Sequence, residues 1–264
     1  MRIISWNVNG LRAVERKGNL SEFLSSFSPD IFLLQEIRSQ AKQVLEIREK
    51  YLDYEQFYYS AKKPGYAGTA IWVKKNLNVK VGKFFTGFPA DFEIIDREGR
   101  ISRLDIQINQ KKFAIFSVYF PNGGKSPEAW EYKLKFYAKF LKYINILRQE
   151  EIECIWAGDV NCAHREIDLA RPQSNQGKIG FHPLERQCID KFIEDGWRDI
   201  FRDKFPDKKE VYSWWHVISR ARERNVGWRI DYFFADKNFA KKIQNIAYLS
   251  SQMGSDHCPV MMKF

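Results

Sequence analysis

ECIWAGDVN, residues 153 to 161, is apolar through Cys154, Ile155, Trp156 and Ala157, then closes on Asp159 and Asn161. An unbroken apolar run is the mark of a strand covered on both faces, whereas a strand with one wet face alternates. Asp159 and Asn161 are two residues apart, and the spacing predicts that they share one face at the strand's end.

Similar runs recur along the chain: RIISWNV (2–8), DIFLLQEI (30–37), GTAIWVKK (68–75), KFAIFSVYF (112–120), RIDYFFAD (229–236) and PVMMKF (259–264). Helical patterns lie between them, clearest in NLSEFLSSFS (19–28) and in 127–150, where Pro127 falls in the first turn. Residues 92–108 read as a hairpin turning near Glu98 and Gly99. No linker, low-complexity tract or internal repeat interrupts the pattern. The expectation is one α/β domain over residues 1–264, built from two packed sheets flanked by helices.

Composition agrees with a packed globular chain: 264 residues, 44% hydrophobic and 16% aromatic. No apolar run approaches the ~20 residues that cross a bilayer, and no signal-peptide pattern opens the sequence. The expectation is a cytoplasmic protein without a membrane partner, nucleoid-associated through DNA if prokaryotic. The four cysteines lack CxxC spacing and read as reduced, mostly buried thiols. A net charge of +10 favours an anionic partner, nucleic acid first.

The ends of the apolar runs carry the chemistry. SWNVNG closes with Asn7 and Asn9, two residues apart and so expected on one face, LLQE with Glu36, and VYFPN with Tyr119 and Asn122. WRIDYF holds Asp231 within an apolar strand, and GSDH supplies Asp256 and His257, one of only four histidines. Taken singly, Asn and Asp are ordinary turn and cap residues. Asp231 is different: an acid between Ile230 and Tyr232 is costly to bury unless paired, and a histidine is its natural partner.

Together, WNVNGLRA, LLQEIR, YFPNGG, GDVNCAHREIDLARP, ARERNVGWRIDYFF and GSDHCP resemble the exonuclease III type of AP endonuclease, within the DNase I-like endonuclease/exonuclease/phosphatase superfamily. The motifs run in the family's order from residue 5 to residue 259. The resemblance implies a four-layered α/β sandwich and magnesium-dependent cleavage of the phosphodiester 5′ to abasic sites in duplex DNA, with manganese able to substitute. It also implies 3′-5′ exonuclease and 3′-end-cleaning activity in a monomer acting on duplexes with abasic or other lesions.

Such hydrolysis requires an activated water, neutralisation of charge on the phosphate and stabilisation of the leaving oxygen. Magnesium takes oxygen ligands and keeps several waters, so one or two carboxylates suffice. By resemblance, Glu36 is the principal ligand and Asp256 lies near the same ion, with Asn7, Asn9, Asp159, Asn161 and His257 around it. Asp159 would deprotonate the water, Asn7 would hold Asp159, and Asn161 would donate to phosphate oxygens. Tyr119 would either hydrogen-bond the phosphate or stabilise the leaving group as phenolate. His257 would contact a nonbridging oxygen, oriented by Asp231.

Two positions depart from the family pattern. Asn9 stands where many relatives carry Asp, which leaves Glu36 as the main anionic anchor. In ARPQSNQGKIGF, Asn175 matches a DNA-contacting Asn, but Lys178 replaces a second one and should strengthen phosphate contact. The stretch 212–233 interleaves aromatics with Arg220, Arg222, Arg224 and Arg229, as DNA binding with an extrahelical sugar requires. By resemblance, Trp214, Trp228 and Ile230 line the sugar pocket; Arg38 and Lys125, each just beyond a strand end, are candidate phosphate contacts, and Asn122 is a candidate DNA contact. Of Trp214 and Trp215, one is expected to pack in the core. Other superfamily phosphodiesterases would share the Asp–His–Asn core, but the NVGWRIDYF segment and the basic balance favour DNA. A noncatalytic DNA-binding module would not need Glu36, Asp159, Asn161, Asp231 and His257 together.

Overall fold

In the computed structural model, which describes residues 1 to 264, the strands are β1 (Arg2–Asn7), β2 (Ile31–Gln35), β3 (Tyr54–Tyr59), β4 (Thr69–Lys74), β5 (Lys80–Thr86) and β6 (Ile101–Ile108), followed by β7 (Lys111–Tyr119), β8 (Glu153–Asp159), β9 (Trp197–Asp199), β10 (Asp231–Asp236), β11 (Asn245–Tyr248) and β12 (Val260–Lys263). They form two six-stranded sheets, ordered β11-β12-β1-β2-β4-β3 and β5-β6-β7-β8-β10-β9. Only β1 with β2 and β7 with β8 are parallel, so both sheets are mixed.

The sheets pack face to face. Ile3, Ile31, Leu33 and Ile71 of the first meet Leu104, Ile115, Ile155 and Phe233 of the second. Alternate residues point the other way, because a strand presents successive side chains to opposite faces. Trp6, Phe32 and Trp72 thus bury under α1 (Leu11–Arg16), α2 (Asn19–Phe27) and α3 (Leu45–Lys50). Phe116, Trp156 and Phe234 bury under α4 (Pro127–Gln149) and α6 (Pro183–Glu194), while α5 (Pro172–Asn175) is a single turn in the intervening loop. The result is the expected four-layered sandwich. Ser126 accepts from the Ala129 N–H at 3.2 Å and caps α4, whose first residue is Pro127. No helix is long and apolar enough to cross a membrane.

Every apolar run named from the sequence forms a strand. Those not read, β3, β5, β9 and β11, are the four sheet edges. Edge strands here are short or carry polar residues such as Lys80 and Lys83, so no apolar run marks them. The hairpin expected over 92–108 needs correction: only 101–108 is a strand, and its partner on that side is β5. Residues 93–100 are held as a loop because the Asp96 carboxylate accepts the backbone N–H groups of Glu98, Arg100 and Ile101. Three cysteines are buried, Cys188 is partly so, and all four are free thiols.

Gly158 has φ +146°, and a Cβ there would sit 1.9 Å from the Val118 carbonyl oxygen. Only glycine lets β7 and β8 approach this closely, just before both strands deliver their functional side chains.

Candidate active site

The inward rows of the two sheets change character toward one end of the seam. Ile3 gives way to Ser5 and then Asn7; Leu33 to Gln35; Ile115 to Ser117 and then Tyr119; Ala157 to Asp159; and Phe233 to Asp231. Gln35 binds Ser5 at 3.1 Å and Ser117 at 2.9 Å, a polar tie between the sheets immediately below the site. Asn7, Asp159, Tyr119 and Asp231 therefore belong to the core rows, carried one step past the last apolar layer.

The chain then leaves the strands sharply. Asn9, Glu36, Arg38 and Asn161 all have φ between 46° and 55°, the left-handed region that non-glycine residues visit rarely. The expectation that Asn9 and Asn161 continue a strand face is thereby corrected. Instead, the Asn9 N–H donates to Asn7 Oδ1 at 3.0 Å and the Asn161 N–H donates to Asp159 Oδ1 at 2.8 Å. Each inward residue thus folds its own chain into an Asx turn.

Asp159 and Asp231 are directly opposite across the β8–β10 ladder. Two carboxylates so placed repel one another unless a cation intervenes. That cation is His257, whose Nδ1 lies 2.8 Å from Asp231 Oδ2 and whose Nε2 lies 3.8 Å from Asp159 Oδ2. Burial opposes the imidazolium, but Asp231 and Asp159 outweigh it and raise His257 to about 10. Burial, together with Asp231 and Glu36, raises Asp159 to about 7 against the pull of His257.

Asn7 Nδ2 donates to Glu36 Oε1 at 2.9 Å and to Asp159 Oδ2 at 3.0 Å. Arg38 closes on Glu36 Oε2 at 2.6 Å. The half-buried Tyr119 stays a phenol: burial and the neighbouring Glu36 push it well above its ordinary range, while Arg100 stacks 4.7 Å from its ring. Asn161 Nδ2 donates to the Phe120 carbonyl at 2.9 Å, and Asn122 Nδ2 donates to Asn161 Oδ1 at 3.2 Å. Asp256 accepts from Asn9 Nδ2 at 2.7 Å and from Trp214 Nε1 at 2.9 Å.

These groups open into a cleft of about 800 Å³. Trp214, Trp228 and Ile230 line one part of it, and Arg38, Asn122 and Lys125 another. Asn175, Lys178 and Arg224 do not line it. Asn175 turns back to the Arg171 carbonyl at 2.8 Å, Lys178 is exposed, and Arg224 donates to the Ser219 carbonyl. Trp215 is the tryptophan of its pair that packs inside, beneath Arg222. Two of the arginines expected to face DNA do not. Arg229 is fully buried between Asp168 at 2.8 Å and Asp199 at 2.6 Å, and Arg222 binds the carbonyls of Ser250, Gln252 and Ser255.

Sequence reading missed Lys133. This fully buried lysine donates to the carbonyls of Asn122 and Asn161 at 3.1 and 2.9 Å and pairs with Glu185, itself bonded to the Gly180 N–H. It rivets three site loops together. Its position on the Phe136–Phe140–Ile144 row of α4 was the available signal, a cation at helical spacing within an apolar stripe.

Ligand atoms of Glu36, Asp159 and His257 lie within 4.8 Å of one another. Asn9 Oδ1 is buried without a partner. Two carboxylates and an unpartnered amide oxygen in one cleft are oxygen ligands of the kind a hard divalent cation takes.

The family model described as Endonuclease/Exonuclease/phosphatase matches residues 4–257, and the chain belongs to that family. Within it, the chain is a nuclease of the exonuclease III type of AP endonuclease. It is 39% identical over 261 residues to an exodeoxyribonuclease of Bacillus subtilis, covering 98% of each chain. It is 34% identical to a DNA-(apurinic or apyrimidinic site) endonuclease of Dictyostelium discoideum, covering 98% of this chain and 69% of that one. Among solved structures, an AP endonuclease of Leishmania major superposes with a TM-score of 0.86 at 29% identity, over 99% of this chain and 86% of the other.

Proposed function

We propose that this protein is a DNA repair nuclease that hydrolyses the phosphodiester 5′ to abasic sites in duplex DNA in a magnesium-dependent reaction, as a monomer, with 3′-5′ exonuclease and 3′-end-cleaning activity. The observation that carries the reading is the Asp159–His257–Asp231 arrangement, in which a base and an imidazolium face one cleft beside the apolar wall of Trp214, Trp228 and Ile230.

Asp159 Oδ2 accepts the proton of the attacking water, and the Asn7 amide keeps that carboxylate from rotating. His257, its Nδ1 fixed by Asp231, presents an Nε2–H donor to a nonbridging phosphate oxygen. Asn161 Nδ2 and the Tyr119 hydroxyl add neutral donors where negative charge develops. Burial and the neighbouring Glu36 favour the phenol form of Tyr119, which supports its reading as a proton-bearing donor to the phosphate or the leaving oxygen. Glu36, Asp159 and Asn9 Oδ1 are the groups that would hold magnesium, or manganese in its place, with Asp256, Asn7, Asn161 and His257 around them. The ion supplies neutralisation of phosphate charge. The apolar wall accepts a base-less sugar and excludes water, while Arg38, Asn122 and Lys125 within the cleft, and the exposed Lys178 outside it, track phosphates.

The test is product mapping on a labelled duplex with a single abasic analogue, with and without chelator. Incision immediately 5′ to the analogue, abolished by chelator and restored by magnesium, is the expected result. Cleavage without regard to the lesion would make the chain a nonspecific nuclease instead.

A further inference from the structure

Asp256 is not among the three residues, Glu36, Asp159 and His257, whose ligand atoms lie within 4.8 Å of one another. One carboxylate oxygen, Oδ1, accepts from Asn9 Nδ2 at 2.7 Å; the other, Oδ2, accepts from the Trp214 indole at 2.9 Å. Trp214 is held by little else that is polar on its side chain. Its backbone pairs with Trp228 through two 2.9 Å hydrogen bonds, and the two rings meet edge-on at 6.4 Å. The indole's tilt against Trp228 therefore depends on the one acceptor its N–H reaches.

Asn9 matters for the same reason. A carboxylate at position 9 would set two anionic oxygens at hydrogen-bond distance, a geometry that needs a proton or cation between them. The amide puts an N–H there permanently.

We propose that Asp256 is a positioning residue of the lesion pocket. It locks the Trp214 indole against Trp228, and Asn9 satisfies its second oxygen so that the lock forms without a metal ion. The proposal rests on the cleft being an abasic-DNA site, and the experiment separates the two ideas.

Duplex binding is measured by anisotropy in chelator, with an intact duplex and with one carrying a tetrahydrofuran abasic analogue. The Trp214 indole N–H resonance is recorded in parallel, assigned as the one missing from Trp214→Phe. The wild type should prefer the tetrahydrofuran duplex. Asp256→Ala should reduce that preference by more than about tenfold, the worth of a lost bond to a charged acceptor, with intact-duplex affinity within about twofold. Asp256→Asn, which keeps one acceptor oxygen, should fall between. Asp256→Ala should cost nothing further in a Trp214→Phe background. Asn9→Asp should lose the preference in chelator and regain it with Ca²⁺, while Asp256→Ala should not respond to Ca²⁺.

An unchanged preference in Asp256→Ala, or its recovery with Ca²⁺, overturns the proposal. So does a Trp214 resonance that stays in place when Asp256 is replaced. If the wild type shows no preference for the analogue, the abasic reading fails and the pocket role of Asp256 falls with it. The indole resonance then decides the lock alone.

Discussion

The side-chain amide of Asn7 and the carboxylate of Asp159 meet at 3.0 Å across the seam between the two sheets, and the same amide reaches Glu36 at 2.9 Å. One neutral donor group thus restrains two carboxylates with different tasks. Asn7→Ala should release both and lower single-turnover cleavage by on the order of 10²-fold, with duplex affinity within about threefold. Asn7→Asp should be worse than Asn7→Ala, because a third anion replaces the shared donor. Equal loss in the two variants would mean that the amide's charge neutrality is irrelevant.

Glu36 is the anionic group nearest to hand for a divalent ion. Glu36→Gln keeps its shape and its bond to Asn7, so duplex binding should survive while the magnesium concentration for half-maximal cleavage rises. A magnesium titration with the wild-type midpoint would remove Glu36 from the ligand set.

His257 and Asp231 should act as a unit. Each alanine variant should lose on the order of 10²-fold in turnover, and the double variant should be little worse than His257→Ala alone. Their pH dependence has a sign that can be checked. The rate should rise as Asp159 deprotonates through about 7 and fall as His257 loses its proton near about 10. Asp231→Asn removes the partner that most favours the imidazolium, so the falling limb should move to lower pH. A limb that stays in place would detach the pair from catalysis.

Lys178 is exposed and unpaired on the loop after α5. If it meets a phosphate, Lys178→Asn should make the log-log salt dependence of duplex affinity shallower by up to about one unit, with the cleavage position unchanged. An identical slope would turn Lys178 away from the duplex.

Acid stability should depend on Arg229. Burial works against ionisation of Asp168, but Arg229 and Arg202 hold its carboxyl down at about 2 against an ordinary 3.8. With a depressed folded value, that contribution is present above pH 3.8 and is lost as pH falls toward 2. Arg229→Met would leave Asp199 buried without its partner, at a cost of roughly 3–5 kcal/mol at neutral pH. Urea unfolding at pH 7 and pH 3 measures both effects: the variant should fall furthest below the wild type at pH 7, and a variant equally destabilised at both would contradict the charge argument.

Much of this was legible in the chain itself. Strands buried on both faces announce themselves by consecutive apolar residues, and their ends marked Asn7, Glu36, Tyr119, Asp159 and His257. The partnership of Asp231 with a histidine followed from the cost of an acid between Ile230 and Tyr232. What stayed hidden was either peripheral or dependent on distant partners. Edge strands have no two-sided burial to betray them. Arg229 and Arg224 look alike in sequence, yet Asp168 and Asp199 make one structural and leave the other at the surface. The bond from Asn9 to Asp256 was equally unreadable, since it joins residues at opposite ends of the chain.

β1 lies in the interior of the first sheet, with Ile3 opposite Met262 of β12. In a growing chain Asn7, Glu36 and Asp159 therefore precede by a long way the strand that completes the sheet, and His257 comes only just ahead of it. Until β12 is released, β1 is an open edge and Asp159 faces Asp231 with no imidazole between them. A chain lacking residues 257 to 263 would thus have neither a finished first sheet nor the imidazole between Asp159 and Asp231.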